Sequence, residues 1–494
     1  MRIETETDIE RLRQMARLLQ AENDRLLKRL QQLTAALAVA QGTDAQTLQL
    51  EIQLLTEQLD TRTRELFAPS SEKRAGNGTA APAGSSRPGH GPTAQPALPL
   101  VEVLHRLDDA DTVCPQCGGT LREWTGQCET AEEIDVVERS FRVVRHQRQK
   151  YRCRCGACIE TALGPPKLIP GGRYSVDFAV AVAVAKYADH LPLARQARQM
   201  ARAGLEIGTQ TLWDQLNAVA AHLEPTHEAL HAHVLSAAVI AADETRWPLL
   251  GQPGASKWHA WAVCSTNAIA YRILPSRSAD AASLVLKDYA GSVVADGYAA
   301  YTTLQDRAGP SSFALAHCWV HCRRKFVNAE PHYPQAAEVL EKIGRLYAID
   351  AAVRPTDPAW RSQLAALRRT QSAAIVEDIY QWLTSQRVLP KSSLGTAIQY
   401  TLGLWPGLKR FLDNPDIPLD TNQVERGMRA LALGRKNHYG SRSQRGTRVA
   451  ALFYSLIESA KLVGVEPAAY LAEATRRAIA NPGTITLPTD VLPA

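Results

Sequence analysis

Apolar residues recur every seven positions at the start of the chain. Leu12, Leu19, Leu26 and Leu33 form one series, and Ile9, Ala16, Asn23, Leu30 and Leu37 the complementary one. Leucine at one core position with a single Asn at the other predicts a parallel two-stranded coiled coil, and so a homodimer in register through Asn23. Gly42-Thr43-Asp44 breaks the phase before a second series at Leu48, Ile52, Leu55, Leu59 and Leu66, so residues 1–67 read as a coiled-coil region. Residues 68–100 are rich in Gly, Ala, Pro and Ser; they cannot bury a core and read as a flexible linker. Helical periodicity returns over 174–223, with a break at His190-Leu191-Pro192, a turn at Gly204 and Thr209 placed to cap the next helix. Helix, Gly turn, helix is a helix-turn-helix-like arrangement, assigned to 166–230.

The period then shortens. Ala237 to Ala242 is a continuous small-apolar run ending in Asp243-Glu244-Thr245, as a central strand would be. KWHAWAVC and IAYRILP follow as a hairpin turning at Thr266-Asn267, then a helix from Ala279 to Tyr289 and a strand from Ser292 to Ala295 that runs into Asp296. FALAHC is strand-like and leads into a helix from Trp319 to Asn328, and residues 335–412 are helical throughout. In Leu419–Asn437, Val424, Met428 and Leu431 make an apolar stripe, Asp420 or Thr421 can cap, and Glu425 lies off the stripe beside Arg426 and Arg429. By itself Glu425 with Arg429 is an ordinary i, i+4 ion pair.

The chain has 494 residues, 45% of them hydrophobic, enough for several domains with real cores. Its formal charge of +6 is modest, so local clusters of Lys and Arg matter more than the total. The apolar run from Val176 to Ala185 is too short to span a bilayer and the N-terminus has no apolar signal core, which predicts a cytoplasmic protein. Nine cysteines include six between Cys114 and Cys158, a clustering that suggests zinc rather than disulfides. Cys114/Cys117 and Cys155/Cys158 can supply four thiolates, with Cys153 the alternative for one of the last two positions. Between these knuckles Val, Phe and Tyr alternate with Arg, Lys and His, the pattern of a basic β-ribbon; residues 101–165 are the predicted zinc-ribbon-like domain.

A β-β-β-α-β order with Asp243 in its first strand and Asp296 after its fourth suits a ribonuclease H-like sheet, in which those strands are neighbours. A later helix can add Glu425. Three clustered carboxylates repel one another unless hard cations neutralise them, and Mg²⁺ or Mn²⁺ takes such oxygen ligands. Two ions of this kind can assist in-line phosphoryl transfer. Arg323, Arg324, Lys325, Arg426, Arg429, Arg435 and Lys436 would then grip DNA phosphates.

ELFAPSSEK, CPQCGG, RHQRQKYRCRC, KYADHLPLARQ, ADETRWPLL, ADGYAAY, CWVHCRRKF, DTNQVERGMRALALGRKN and YSLIESAKLVGVEPAAYL stand in order along the chain. In these motifs it resembles the DDE transposases of the insertion sequence 66 family, TnpC type. The resemblance implies a multidomain α/β protein with Asp243, Asp296 and Glu425 as catalytic triad. The ribonuclease H-like core would span 231–438 with a helical insertion at 330–412, followed by a C-terminal helical segment, 439–494. Cys318 and His321 resemble a C-x-x-H element given a supporting role. The implied function is binding of terminal inverted repeats, cleavage at the element's ends and joining to target DNA, in a nucleoid-associated protein and with accessory transposition proteins as further partners. The alternatives are a non-catalytic zinc-ribbon and coiled-coil DNA-binding protein, or an inactive transposase copy.

Overall fold

The computed structural model describes residues 9–40, 43–67, 116–120, 140–152, 159–250, 258–309 and 312–491. Contacts divide the chain into two units, 1–64 with 140–494, and 65–139. Of the second unit's interior, residues 116–120 are described, including an exposed Cys117. The expected linker and the candidate zinc ligands Cys114, Cys153, Cys155 and Cys158 lie outside the described residues.

The heptads form α1, Ile9–Val39, and α2, Thr43–Phe67. Leu33 is 4% exposed, and Arg29 of α1 reaches Glu51 of α2 at 3.5 Å, so the two helices run back along each other within one chain. α2 also meets the insertion: the Glu57 carboxylate accepts the Ser393 N–H at 3.1 Å, and Asp60 lies 3.7 Å from His332. Among the described residues, the expected basic ribbon comprises β1, Lys150–Arg152, antiparallel to β2, Ile159–Thr161; Val143 and Val144 before it are exposed.

α3, Val176–Tyr187, and α4, Leu193–Arg202, flank the expected break, and Gly204 takes the positive φ of +81° that the turn requires. α5 is Thr209–Leu235, longer than the pattern to 223 indicated. It continues through Pro225 because Leu223, Thr226, His227 and Leu230 around the proline are buried. Tertiary packing there outweighs the roughly 3 kcal/mol cost of a helical proline. At its start Thr209 makes no side-chain cap; Gly208 stands at that position.

The central sheet has five strands in the order β5-β4-β3-β6-β7. They are β3, Val239–Arg246; β4, His259–Cys264; β5, Ile269–Leu274; β6, Ser292–Ala295; and β7, Ala314–His317. β3 is antiparallel to β4 and parallel to β6, and β7 is parallel to β6. α6, Ala279–Leu286, precedes β6 and α7, Ala299–Ala308, follows it. α8, Trp319–Ala329, leads to the insertion, which comprises α9, Ala336–Ala351; α10, Trp360–Leu367; α11, Ala373–Ser385; α12, Ser393–Gly403; and α13, Trp405–Leu408. A π-turn at Arg368–Ser372 joins α10 to α11. Arg368, 2% exposed, bonds both Asp350 oxygens and the carbonyls of Phe411, Asn414 and Ile417. α14, Asn422–His438, packs on β3 and β4; α15, Gln444–Leu462, and α16, Pro467–Ala480, follow it. Apolar residues form two cores, one joining the sheet to α3, α5, α14 and α15, the other joining the sheet's edge to α8 and the insertion. No described helix is long and apolar enough to cross a membrane.

Candidate active site

Strand pairing brings the two aspartates near each other. Ala241 of β3 pairs with Val294 of β6. Asp243 stands two residues further along β3, on the side of Ala241, Asp296 follows directly on the last residue of β6, and the Asp296 charge acts on the Asp243 carboxyl. β3 runs on through Arg246, so Asp243 lies within the strand rather than at its end. Glu244, next in sequence, takes the opposite face.

Glu425 comes from the first turn of α14. Val424, Met428 and Leu431 are buried as the stripe requires. Gly427 lets the helix lie against β5: a Cβ there would meet the Tyr271 hydroxyl at 2.6 Å and Ile269 Cδ1 at 2.5 Å. Capping falls to Asp420, whose carboxylate accepts the Asn422 N–H at 3.0 Å. The Thr421 hydroxyl instead lies 3.1 Å from Glu425 Oε1 and 3.4 Å from Cys318 Sγ. The ordinary i, i+4 pairing with Arg429 does not form. Glu425 instead faces α8, with Arg324 at 3.9 Å and His321 at 3.8 Å, while Arg429 is exposed.

Burial first, and then the neighbouring carboxylates Glu244, Asp296 and Glu425, push the Asp243 carboxyl up to about 7; its backbone hydrogen bond from Glu244 pulls the other way. Asp243 Oδ1 accepts the Glu244 N–H at 2.8 Å, and Asp296 Oδ1 accepts the Tyr298 N–H at 2.9 Å. A buried carboxylate beside other acidic groups suits a hard divalent cation, which takes oxygen donors and removes the repulsion. The three carboxylates therefore influence one another, yet the tightest donor cluster differs. Among the described residues, one ligand atom each from Cys318, His321 and Glu425 lie within 4.8 Å of one another.

Further supporting side chains reach the site from parts of the chain distant in sequence. Glu244 is buried, accepting from Arg277 Nε at 2.9 Å and from the Tyr301 hydroxyl at 3.0 Å. Burial raises its pKa and the Arg277 bond offsets part of that rise. Arg277 lies 3.8 Å over the Tyr298 ring, and Tyr298 donates its hydroxyl to the Arg277 carbonyl. From the insertion, the Tyr400 hydroxyl accepts the Gly297 N–H at 3.2 Å, directly after Asp296. Gly297 has to be glycine, since a Cβ would meet the Tyr400 ring at 2.8 Å. Lys325 covers that ring at 4.4 Å. Of the other candidate cations, Arg323, Arg426 and Lys436 are exposed, whereas Arg435 is half-buried and bonds the Thr245 hydroxyl and the Arg246 carbonyl.

Residues 171–449, more than half of the chain, match the family described as "Transposase IS66 family". The chain belongs to the IS66 transposase family. Residues 111–156 match the "zinc-finger binding domain of transposase IS66", a span that holds Cys114, Cys117, Cys153 and Cys155. Among its relatives are three proteins of Sinorhizobium fredii. The "Uncharacterized protein y4jD" is 33% identical over 80% of each chain. The "Uncharacterized protein y4qI" is 31% identical over 91% of this chain and 86% of its own, and the "Uncharacterized protein y4hP" 27% over 87% and 82%. Membership supports a transposase role, and the zinc-finger match supports Zn²⁺ as a cofactor.

Proposed function

We propose that this IS66 family protein is a DDE-type transposase that binds the terminal inverted repeats of its element, cleaves at the ends and joins them to target DNA. The observation that carries the reading is that Asp243 in β3 lies close enough to Asp296 after β6 and to Glu425 of α14 for both charges to raise its pKa. The strand order β5-β4-β3-β6-β7, with β6 and β7 parallel to β3 on one side, supports reading the sheet as ribonuclease H-like and the helices after α8 as its insertion. Asp243, Asp296 and Glu425 would hold Mg²⁺ or Mn²⁺, which when bound supplies charge neutralisation and polarisation of the attacking and leaving oxygens. Asp243, whose carboxyl is pushed up to about 7 without a cation, would hold the ion in its ionised form. The Glu244–Arg277–Tyr301 network fixes the strand from behind, and Tyr400 fixes the turn after Asp296. Arg323, Arg426 and Arg429 present charge to the DNA backbone, which positions the duplex without reading its bases. The zinc finger adds a second DNA contact, and a second copy of the chain pairs through α1. Accessory transposition proteins and association with the nucleoid complete this reading.

The decisive experiment is end cleavage and strand transfer by Glu425→Ala. Activity should vanish while repeat DNA is still bound, because binding rests on Arg and Lys rather than on carboxylates. A folded Glu425→Ala protein that cleaves ends in Mg²⁺ would sink the assignment.

A further inference from the structure

We propose that Cys318, His321 and Glu425 form a site for a divalent cation that prefers sulfur and nitrogen donors, Zn²⁺ foremost, and that its occupancy withdraws Glu425 from the carboxylate cluster and inhibits the Mg²⁺-supported reaction. The binding half stands on geometry; the inhibition half rests on the catalytic reading of Glu425 given above.

The three donor atoms lie within 4.8 Å of one another, and His321 Nε2 is 3.8 Å from Glu425 Oε1. A tetrahedral ion with bonds of about 2.0–2.3 Å needs donors roughly 3.3–3.8 Å apart. Side-chain adjustments of about an ångström or less close the site. Its frame is held by the backbone. The Cys318 N–H donates to the Ala295 carbonyl at 3.1 Å, and the Trp319 N–H to the Leu419 carbonyl at 2.8 Å. These bonds tie the start of α8 to the end of β6 on one side and to the approach of α14 on the other. Cys318 is the N-cap of α8, so Cys318 and His321, three apart, share one side of its first turn.

Burial raises the Cys318 pKa, and hydrogen bonds from the Thr421 hydroxyl, 3.4 Å from the sulfur, and from the N–H groups of His321, Thr421 and Val320 offset part of that rise. A cation would settle that balance toward the thiolate. His321 Nδ1 is buried with no hydrogen-bond partner. Arg324 faces Oε2 of Glu425, which leaves Oε1 toward the sulfur and the imidazole. Thiolate, imidazole and one carboxylate oxygen suit Zn²⁺ and are poor ligands for Mg²⁺, which takes oxygen. Three protein ligands leave a fourth position open, the mark of an exchangeable rather than a structural ion.

The test uses the full chain, stripped of metal and reloaded with Zn²⁺ or, as a spectroscopic probe, Co²⁺. The native chain should retain one more ion than Cys318→Ala after desalting, and its Co²⁺–thiolate absorption should exceed that of the variant. His321→Ala should lose the same ion, and excess Mg²⁺ should not displace it. Equal metal content and equal spectra in native chain and Cys318→Ala would overturn the site. Cys318→Ser, nearly isosteric but a poor zinc ligand, repeats the comparison should the alanine variant misfold. For inhibition, end cleavage in Mg²⁺ is titrated with Zn²⁺, each variant normalised to its own zinc-free rate. Half-inhibition should move at least about tenfold higher in Cys318→Ser, since even losing a group that merely orients a ligand costs about 10–100-fold in affinity. Unchanged inhibition in that variant would overturn the regulatory half. A Glu425→Gln protein that still cleaves would overturn the catalytic reading instead, while the metal count continues to decide the site.

Discussion

The two walls of the candidate site are held in opposite ways. On the sheet wall, Asp243 and Asp296 accept hydrogen bonds from backbone N–H groups, of Glu244 and Tyr298 respectively. On the helix wall, Glu425 is approached by side chains: the Thr421 hydroxyl, His321 and Arg324. Backbone donors come with the fold and stay in place under mutation. Side-chain partners can be exchanged, and they compensate charge. The sheet wall is therefore rigid and electrostatically expensive, the helix wall adjustable and partly neutralised.

Substitutions that remove charge should separate the walls most sharply. Asp243 binds its proton near pH 7 when folded, against 3.8 as a free side chain. The native state thus holds the proton more tightly, and metal-free stability falls as pH rises from about 4 to 7 and stays low above that. Asp243→Asn should abolish strand transfer, yet make the metal-free protein more stable at pH 8 by on the order of 1–2 kcal/mol, with little gain at pH 5. Thermal unfolding at both pH values reads this directly. Glu425→Gln should also abolish transfer but bring no such gain, because it dissolves favourable pairs. Equal gains in the two variants would erase the distinction between the walls.

Behind the sheet wall, Arg277→Ala uncovers the buried Glu244. Breaking a buried pair costs about 3–5 kcal/mol, and the half-exposed arginine reduces that to about 2 kcal/mol. Urea denaturation measures the loss, and Glu244→Gln added to Arg277→Ala should recover most of it. Next in size is Tyr400→Phe, which removes the acceptor for Gly297 N–H. One neutral hydrogen bond is worth about 0.5–1.5 kcal/mol, so transfer should slow by roughly three- to tenfold with repeat binding unchanged. A normal rate would show that the insertion does not position Asp296. The smallest effect belongs to Arg429→Ala on the exposed side of α14. Stability should stay within about 0.5 kcal/mol. DNA affinity should drop, with the salt slope shallower by about 1.

Much of this arrangement could be read from residue patterns. The apolar strands, the hairpin at Thr266-Asn267 and the stripe of α14 are local signals, and the sheet order followed from them. Both aspartates stand out because each follows an apolar run that reads as a buried strand. What escaped was long-range. Arg277 reaches Glu244 across 33 positions, and Tyr400 reaches Gly297 across 103. Thr421 meets Cys318 across the same separation of 103. No periodicity encodes such pairs, and the last two depend on how the insertion folds back. The Glu425–Arg429 pair failed for the same reason: a tertiary partner on α8 outcompeted a neighbour on the same helix.

The buried arginine of the π-turn carries one more consequence. Arg368 gathers three carbonyls between Phe411 and Ile417, the stretch of chain that re-enters the core just before α14. Asp350 anchors the same guanidinium to α9. One guanidinium thus braces α9 against the stretch of chain that leads into the helix carrying Glu425. Cutting the insertion down to a short loop would remove that brace along with the bulk.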